Sequence, residues 1–328
     1  MNLVTGASGF IGSAVVRRLL ARGQKVRCYV EPGARRDNLD GLDVEIVPGD
    51  VNDREAIARA LDGCDTLFHL AAIYAIWLED PSLMYRVNVE GTKTVLWAAY
   101  KAQLEKVVYT SSIAAVGRGE NGVPVDETHA FSRQDWDDGN AYIRSKWLSE
   151  KDALRFAAEG LPLVVVNPGF PFGERDLGPT PTGGFIVGAL KKQMPGYVDA
   201  GFCAIDVDDC AEGHVLAAEK GRPGERYILG NHNVMMRDFY RTVARVAGMK
   251  IPERRIPVAL AESAGWLMER AADVRKKPPL ATFKATRYAA HTHFFDNSKA
   301  RRELGLPSTP LDVTIDKAVR WFRTHGYA

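Results

Sequence analysis

The sequence predicts an α/β protein built on a doubly wound parallel sheet, with a smaller, mostly helical region after it. Three observations carry this expectation. Residues 1–168 alternate short apolar runs with stretches of helical spacing. The first such pair is joined by a glycine-rich turn, Thr5-Gly6-Ala7-Ser8-Gly9-Phe10-Ile11-Gly12. After Pro168 the alternation loosens and helical spacing takes over. Strands separated by helices imply right-handed crossovers, and hence a parallel sheet covered on both faces. A chain of 328 residues, 46% hydrophobic and 26% charged, is long enough for one large α/β core or two domains.

The elements follow in order. A first strand ends at Thr5, and the helix after it places Ile11, Val15, Leu19 and Leu20 on one face. The glycines between them serve a sharp turn, the approach of backbone to a pyrophosphate, and close packing of helix on sheet. The helix N-terminus offers free N–H groups and a partial positive charge to an anion. The spacing is G-x-x-G-x-x-G rather than the commoner G-x-G-x-x-G, so taken alone the motif leaves a purely structural turn open. Further strands are expected over residues 26–30, 44–47, 65–70, 107–112 and 163–167, with helices over 54–61, 84–100 and 142–158. Ligands bind at the carboxyl ends of such strands. Those ends are Gly6, Glu31, Asp50, Ala71, Ser112 and Pro168.

Residues 169–184 are rich in Gly and Pro and are expected to hold no regular element; so long a loop is often functional. Helices are expected near 185–192, 207–219, 237–247, 259–272, 280–289, 298–304 and 314–324, with one strand at 226–229. This divides the chain into a dinucleotide-binding domain (1–168 with about 199–232) and a substrate-binding domain (169–198 and 233–328).

Composition excludes several classes. A net charge of +2 gives no electrostatic case for nucleic acid. The basic runs Arg35-Arg36, Lys191-Lys192 and Arg275-Lys276-Lys277 are short and scattered, as solvated surface would be. Cys28, Cys64, Cys203 and Cys210 form no C-x-x-C and read as buried reduced thiols of a cytoplasmic protein. The chain enters its first strand at once, which leaves no room for a signal peptide. No apolar run reaches membrane-spanning length. Residues 258–274 form an amphipathic helix, read as core or pocket wall, with peripheral contact to a membrane surface as the alternative. His69, His214, His291 and His293 lack metal-ligand spacing, so no metal is expected.

The chemistry centres on Tyr142-Ile143-Arg144-Ser145-Lys146. Tyrosine and lysine at i and i+4 share one helix face. A lysine cation beside a phenol favours the phenolate and lowers its pKa. A tyrosine so tuned exchanges a proton with an alcohol or carbonyl. Strand five, ending in Tyr109-Thr110-Ser111-Ser112, brings serine hydroxyls to the same sheet edge.

These residues resemble the extended short-chain dehydrogenase/reductases, whose cofactor domain is of the Rossmann type. The resemblance rests on the glycine turn, Gly49-Asp50-Val51, His69-Leu70-Ala71-Ala72, Val87-Asn88-Val89-Glu90-Gly91-Thr92, Thr110-Ser111-Ser112 and the Tyr142/Lys146 pair. It continues through Asn167-Pro168-Gly169, Asp206-Val207-Asp208-Asp209 and Phe295-Asp296-Asn297-Ser298-Lys299-Ala300. Within that family the chain looks most like the dihydroflavonol 4-reductase and 3β-hydroxysteroid dehydrogenase group. Residues 179–183 and 221–230 bring it nearer still to hopanoid-associated sugar epimerase-like proteins.

The resemblance implies roles. Tyr142 would be the general acid/base, Lys146 would bind the nicotinamide ribose and tune Tyr142, and Ser112 (or Ser111, one register step away) would orient the substrate carbonyl. Asn88 would support the lysine through water, or be a plain helix residue. Gly6, Ser8, Gly9, Phe10, Ile11 and Gly12 would hold the pyrophosphate. Asp50 and Val51 would face the adenine, Ala71 and Ala72 the ribose and pyrophosphate path, and Pro168, Gly169 and Phe170 the nicotinamide. Tyr74, Trp77 and Phe170 fall near the expected substrate mouth. Many relatives carry arginine where this chain has Glu31. A carboxylate there repels a 2′-phosphate and accepts bonds from ribose hydroxyls, which favours NAD over NADP, although Arg35 and Arg36 follow closely.

The expected activity is hydride exchange between NAD(P) and a secondary alcohol or ketone on an apolar substrate, such as a sterol, triterpenoid or flavonoid-like compound. On a sterol, oxidation of a 3-hydroxyl next to a 4-carboxylate would yield a β-keto acid, which decarboxylates readily. A nucleotide-sugar epimerase or dehydratase is the alternative, with Arg175, Arg222 and Arg237 as candidate diphosphate ligands. A non-catalytic dinucleotide sensor is the remote one. The resemblance also implies a homodimer built on the two long helices, 84–100 and 142–158.

Overall fold

The computed structural model describes residues 1–277, 279 and 281–328. Its strands are β1 (Asn2–Thr5), β2 (Val26–Val30), β3 (Glu45–Pro48), β4 (Thr66–His69), β5 (Lys106–Thr110), β6 (Leu163–Pro168), β7 (Phe170–Phe172), β8 (Gly201–Asp206), β9 (Arg226–Leu229) and β10 (His232–Met235). The helices are α1 (Phe10–Ala21), α2 (Arg54–Leu61), α3 (Ser82–Tyr85), α4 (Thr92–Lys101), α5 (Arg133–Asp138), α6 (Ala141–Ala158), α7 (Gly183–Leu190), α8 (Val207–Lys220), α9 (Met236–Ala247), α10 (Val258–Arg275), α11 (Phe283–Ala289) and α12 (Leu311–Thr324).

Seven strands form one sheet in the order β3-β2-β1-β4-β5-β6-β9. Every pairing in it is parallel. The winding direction reverses between β1 and β4, which opens a crevice at the carboxyl ends of those strands. Side chains alternate between two apolar layers, as the two-residue period of a strand requires. Val4, Phe68, Val108 and Val166 face the layer built on α1 and α8. Leu3, Leu67, Val107 and Val165 face the layer built on α2, α4 and α6. Burial on both faces explains why these strands read as continuous apolar runs.

A second, three-stranded sheet has the order β10-β8-β7. It packs with α7, α9 and α12 around Phe172, Phe202, Phe239 and Phe322. Residues 169–184 are therefore not free of regular structure: β7 lies inside them. Phe170 and Phe172 pair in register with Ala204 and Asp206, and that long-range partner is invisible in the local sequence. The expected helix over 84–100 is continuous from α3 to α4, but a π-helical turn, Arg86–Gly91, interrupts it. The helix expected from residue 280 begins at Phe283, and Leu280 lies outside the described residues.

Candidate active site

The glycine turn is built by close approach. Gly6 has φ +66°, and a Cβ there would lie 2.8 Å from the Ala71 nitrogen. A Cβ on Gly12 would run into the Gly6 carbonyl oxygen. Gly6 thus lets β1 turn against the end of β4, and Gly12 lets α1 start against that turn. Gly9 precedes α1 without any side-chain cap, so the first-turn N–H groups are free for an anion. The Thr5 hydroxyl locks the crevice from beneath. It accepts from the Leu70 and Ala71 N–H groups at 3.2 Å and meets His69 Nδ1 at 2.7 Å. The cradle fits a dinucleotide pyrophosphate.

The strand ends lie where the sequence places them. Glu31 is exposed just past β2. Arg35 is held by Asp37 (3.0 Å) and by the Leu177 carbonyl (3.3 Å). Arg36 is exposed beside it. Asn38 is buried and spends its amide on the Ser8 and Arg175 carbonyls at 3.3 and 3.0 Å. Asp50 is exposed, with its carboxylate on Asn52, while Val51 is buried against Gly91. Ala71 and Ala72 follow β4, and Pro168 closes β6. Gly169 passes so near the Cys203 carbonyl that a Cβ would lie 2.5 Å from it.

Asn140 caps α6 by accepting from the Ile143 N–H at 3.0 Å. That cap fixes Tyr142 in the first turn and Lys146 one turn later. Burial pushes the Tyr142 hydroxyl up to about 12, with Ser112 beside it acting the other way. The Ser112 hydroxyl accepts from the Ala114 N–H at 3.2 Å. Ser111 is buried and its hydroxyl finds no partner among the described residues. Lys146 departs from the expected arrangement. Its ammonium donates to the Thr110 carbonyl (2.7 Å) and reaches the Tyr109 hydroxyl (3.5 Å) instead of lying on Tyr142. Burial brings it down to about 8, against the opposing pull of Glu150. A buried carbonyl at the end of β5 is a better partner for a desolvated ammonium than a neutral phenol.

Two buried asparagines that the sequence singles out take partners far away in the chain. Asn88, in the π-helical turn, donates to the Ile73 carbonyl and the Ser145 hydroxyl, both at 3.0 Å, and accepts from the Ile73 N–H at 2.7 Å. It ties the loop after β4 to the tyrosine helix, and π turns often mark such sites. Asn167 donates to the Ser112 carbonyl (2.9 Å) and to Glu150 (2.6 Å), which pairs with Arg226 at 2.9 Å. Its local signal is polarity inside an apolar run: Asn167 is the one polar side chain of LVVVNP.

The mouth is aromatic. The Tyr74 ring meets Tyr142 at 4.8 Å between centroids. Phe170 packs on Phe202 at 5.0 Å. Tyr288 of α11 stacks on His293 at 4.0 Å between centroids, and burial raises its pKa. Trp77 is turned toward α10 and donates to Asp273 at 3.4 Å.

Residues 2–230 match the profile of the NAD dependent epimerase/dehydratase family. The chain belongs to this family. It is 38% identical to a putative dihydroflavonol 4-reductase of Synechocystis, over 99% of this chain and 95% of that one. It is 33% identical to sterol demethylase protein B of Methylococcus capsulatus, over 99% of both. Among solved structures, gox2253 superposes with a TM-score of 0.88 and 40% identity, over 100% of this chain and 99% of that one. The chain is thus an NAD(P)-dependent oxidoreductase of the extended short-chain dehydrogenase/reductase type.

In this family member the buried histidines are structural. His69 bridges Thr5 and Thr92, and His214 bridges Thr110 and the Cys210 carbonyl. Burial lowers His69 to about 3 and His214 and His293 to about 4, from 6.5. Their unfolded forms bind protons first as pH falls, so stability present above pH 6.5 is lost progressively below it. A loss of roughly 1–2 kcal/mol per histidine is expected between pH 6.5 and 5. Urea midpoints at pH 7.5, 6 and 5 measure it; a midpoint unchanged at pH 5 would refute the neutral assignment.

Proposed function

We propose that the chain interconverts a secondary alcohol and a ketone on a largely apolar, ring-containing substrate. The observation that carries this reading is Tyr142 in the first turn of α6, with Ser112 acting on its hydroxyl and the Tyr74 ring packed against it at 4.8 Å. NAD(P), held by Gly6, Ser8, Gly9, Phe10, Ile11 and Gly12, supplies or accepts the hydride when bound. Ser112 donates a hydrogen bond to the substrate oxygen and orients it. Tyr142 gives that oxygen its proton in reduction and takes it in oxidation. Lys146, buried and held on the Thr110 carbonyl, would place its positive charge behind the tyrosine and would bind the ribose when the cofactor is present. Residues 169–198 and 233–328, which carry β7, α7 and α9 to α12, make up the substrate-binding part.

The names of two relatives, a dihydroflavonol reductase and a sterol demethylase protein, fit an apolar alicyclic substrate. The epimerase reading is weaker. Its candidate arginines are scattered and engaged: Arg222 with Glu303 (2.9 Å), Arg237 with Asp238 (3.3 Å), and Arg175 over the Trp321 ring. Purified protein incubated with NAD and 3-hydroxysteroids, triterpenoid alcohols or dihydroflavonols should form NADH with at least one class. Turnover of nucleotide sugars without net NADH formation would overturn the reading.

NAD is the favoured cofactor, because Glu31 stands exposed at the end of β2 while Arg35 is committed to Asp37 and Asn38 to backbone carbonyls. Glu31→Arg should shift the NADP-to-NAD ratio of kcat/KM upward by about tenfold or more, since one charge is exchanged for its opposite beside the phosphate position. An unchanged ratio would refute this. A homodimer through α4 and α6 is supported by Trp97 and Tyr100, stacked on the α4 surface and 43% and 37% exposed; sedimentation of Trp97→Glu as a monomer would bear it out. Four buried free thiols suit a cytoplasmic location.

A further inference from the structure

Helix α10 is built the wrong way out for a surface helix. Only Gly265 and Ala272 are buried in it. Leu260, Trp266, Leu267 and Val274 are 59%, 52%, 62% and 83% exposed. An ordinary surface helix turns its large apolar side chains inward and its charges outward. Here the acids turn inward. Glu269 accepts from the Phe283 N–H at 3.0 Å, Asp273 accepts from Trp77, and Glu262 is half-buried. Leu260, Leu267 and Val274 recur every seven residues and so form one stripe, about 21 Å long at 1.5 Å per residue. A contiguous exposed apolar strip of this kind marks an interaction surface.

The charges around the stripe say what covers it. Arg254 and Arg255 stand exposed just before α10, and Arg275, Lys276 and Lys277 stand exposed at and after its end. Arg270 lies on its flank. Arg255, Arg270 and Lys276 each have one acidic neighbour, at 3.4, 3.1 and 3.3 Å. Arg254, Arg275 and Lys277 form no ion pair among the described residues. An apolar stripe with a tryptophan beside it and cations at both ends is complementary to an anionic lipid surface. Leucine and valine enter the acyl boundary, tryptophan sits at headgroup level, and the cations meet phosphates. No described helix is long and apolar enough to cross a membrane.

We propose that α10 seats the protein reversibly on an anionic membrane surface. The helix is joined to the loop after β4 by Trp77 on Asp273, and its end by the exposed pair of Lys276 with Glu79. Docking therefore brings the loop that carries Tyr74 to the lipid. Docking stands apart from the alcohol–ketone reading; only the entry of an apolar substrate from the bilayer rests on it.

The test is co-sedimentation of the full chain with vesicles of phosphatidylglycerol and phosphatidylcholine in equal parts, against phosphatidylcholine alone. Binding to the anionic vesicles is expected, at least tenfold weaker on the neutral ones and weakened by salt. The variant Leu260→Glu/Leu267→Glu/Val274→Glu should lose it, and Arg275→Glu/Lys277→Glu should weaken it at least fivefold. Both variants alter exposed side chains only, and an unchanged Tm and NADH affinity shows that the fold is kept. The proposal is overturned if wild type stays in solution with anionic vesicles, or if the triple variant binds as well as wild type. It is equally overturned if wild type ignores vesicles and self-associates in a way the triple variant does not, since the stripe would then cover a second copy of the chain.

Discussion

Tyr142→Phe should lower kcat for ketone reduction by about 10²–10⁴-fold, the range for loss of a general acid, while NADH affinity changes less than threefold. The phenol stands in the first turn of α6 with Ser112 acting on it, and phenylalanine keeps the ring that Tyr74 packs against. Stopped-flow reduction and NADH titration separate the two effects. A retained full rate would remove Tyr142 from the chemistry. The pH profile has a stated sign. With burial holding the hydroxyl at about 12, Tyr142 is protonated at neutral pH and ready to act as an acid. Reduction should therefore be level between pH 6.5 and 8. Oxidation needs the phenolate, so its kcat/KM should climb with pH over the same interval. A falling oxidation limb there would contradict the assignment.

Gly12→Ala is the second large effect. The added methyl would meet the Gly6 carbonyl, which is held in place because Gly6 itself turns at φ +66° against Ala71. Neither partner has a flexible side chain to move away. Overpacking of this kind costs about 1–3 kcal/mol, and relief requires α1 to shift away from the turn. The dinucleotide Kd should rise at least tenfold, and Tm should fall. Gly23→Ala is the control: it lies at the end of α1 with nothing within 4 Å of its Cβ position, so its effect is confined to the cost of its own φ of +69°. Equal cofactor affinities in the two variants would show that the close approach at Gly12 does not shape the phosphate site.

The legibility of the chain divides along the range of the interactions involved. The strand at 226–229 and the helix at 54–61 were readable to the residue because their signals are local. In the first case that signal is an apolar run bounded by loop residues; in the second it is the Asp53 cap and helical spacing. β7 and β8 were not readable. Phe170 and Phe172 become a strand only because β8, some thirty residues on, lies beside them. The π turn at Arg86–Gly91 was hidden because its spacing is helical and only its hydrogen-bond register differs.

The site divides in the same way. The glycine turn, Ser112, Tyr142 and Lys146 stand at strand ends and on one helix face, so their types and spacing placed them together in the sequence. What the lysine touches was decided by tertiary structure. The fourfold spacing puts it near Tyr142, yet its charge is buried, and a buried charge goes to the strongest acceptor at hand, the Thr110 carbonyl. The inverted face of α10 was also beyond the sequence: its periodicity shows that an apolar side exists, not which side the rest of the chain covers. By itself the sequence determined the doubly wound sheet, the glycine turn and the helix that carries Tyr142 and Lys146, because these follow from period and glycine. Only the tertiary structure decided the partners of Lys146, the Asn88 and Asn167 ties and the outward face of α10, because each depends on which distant segment reaches a desolvated group first.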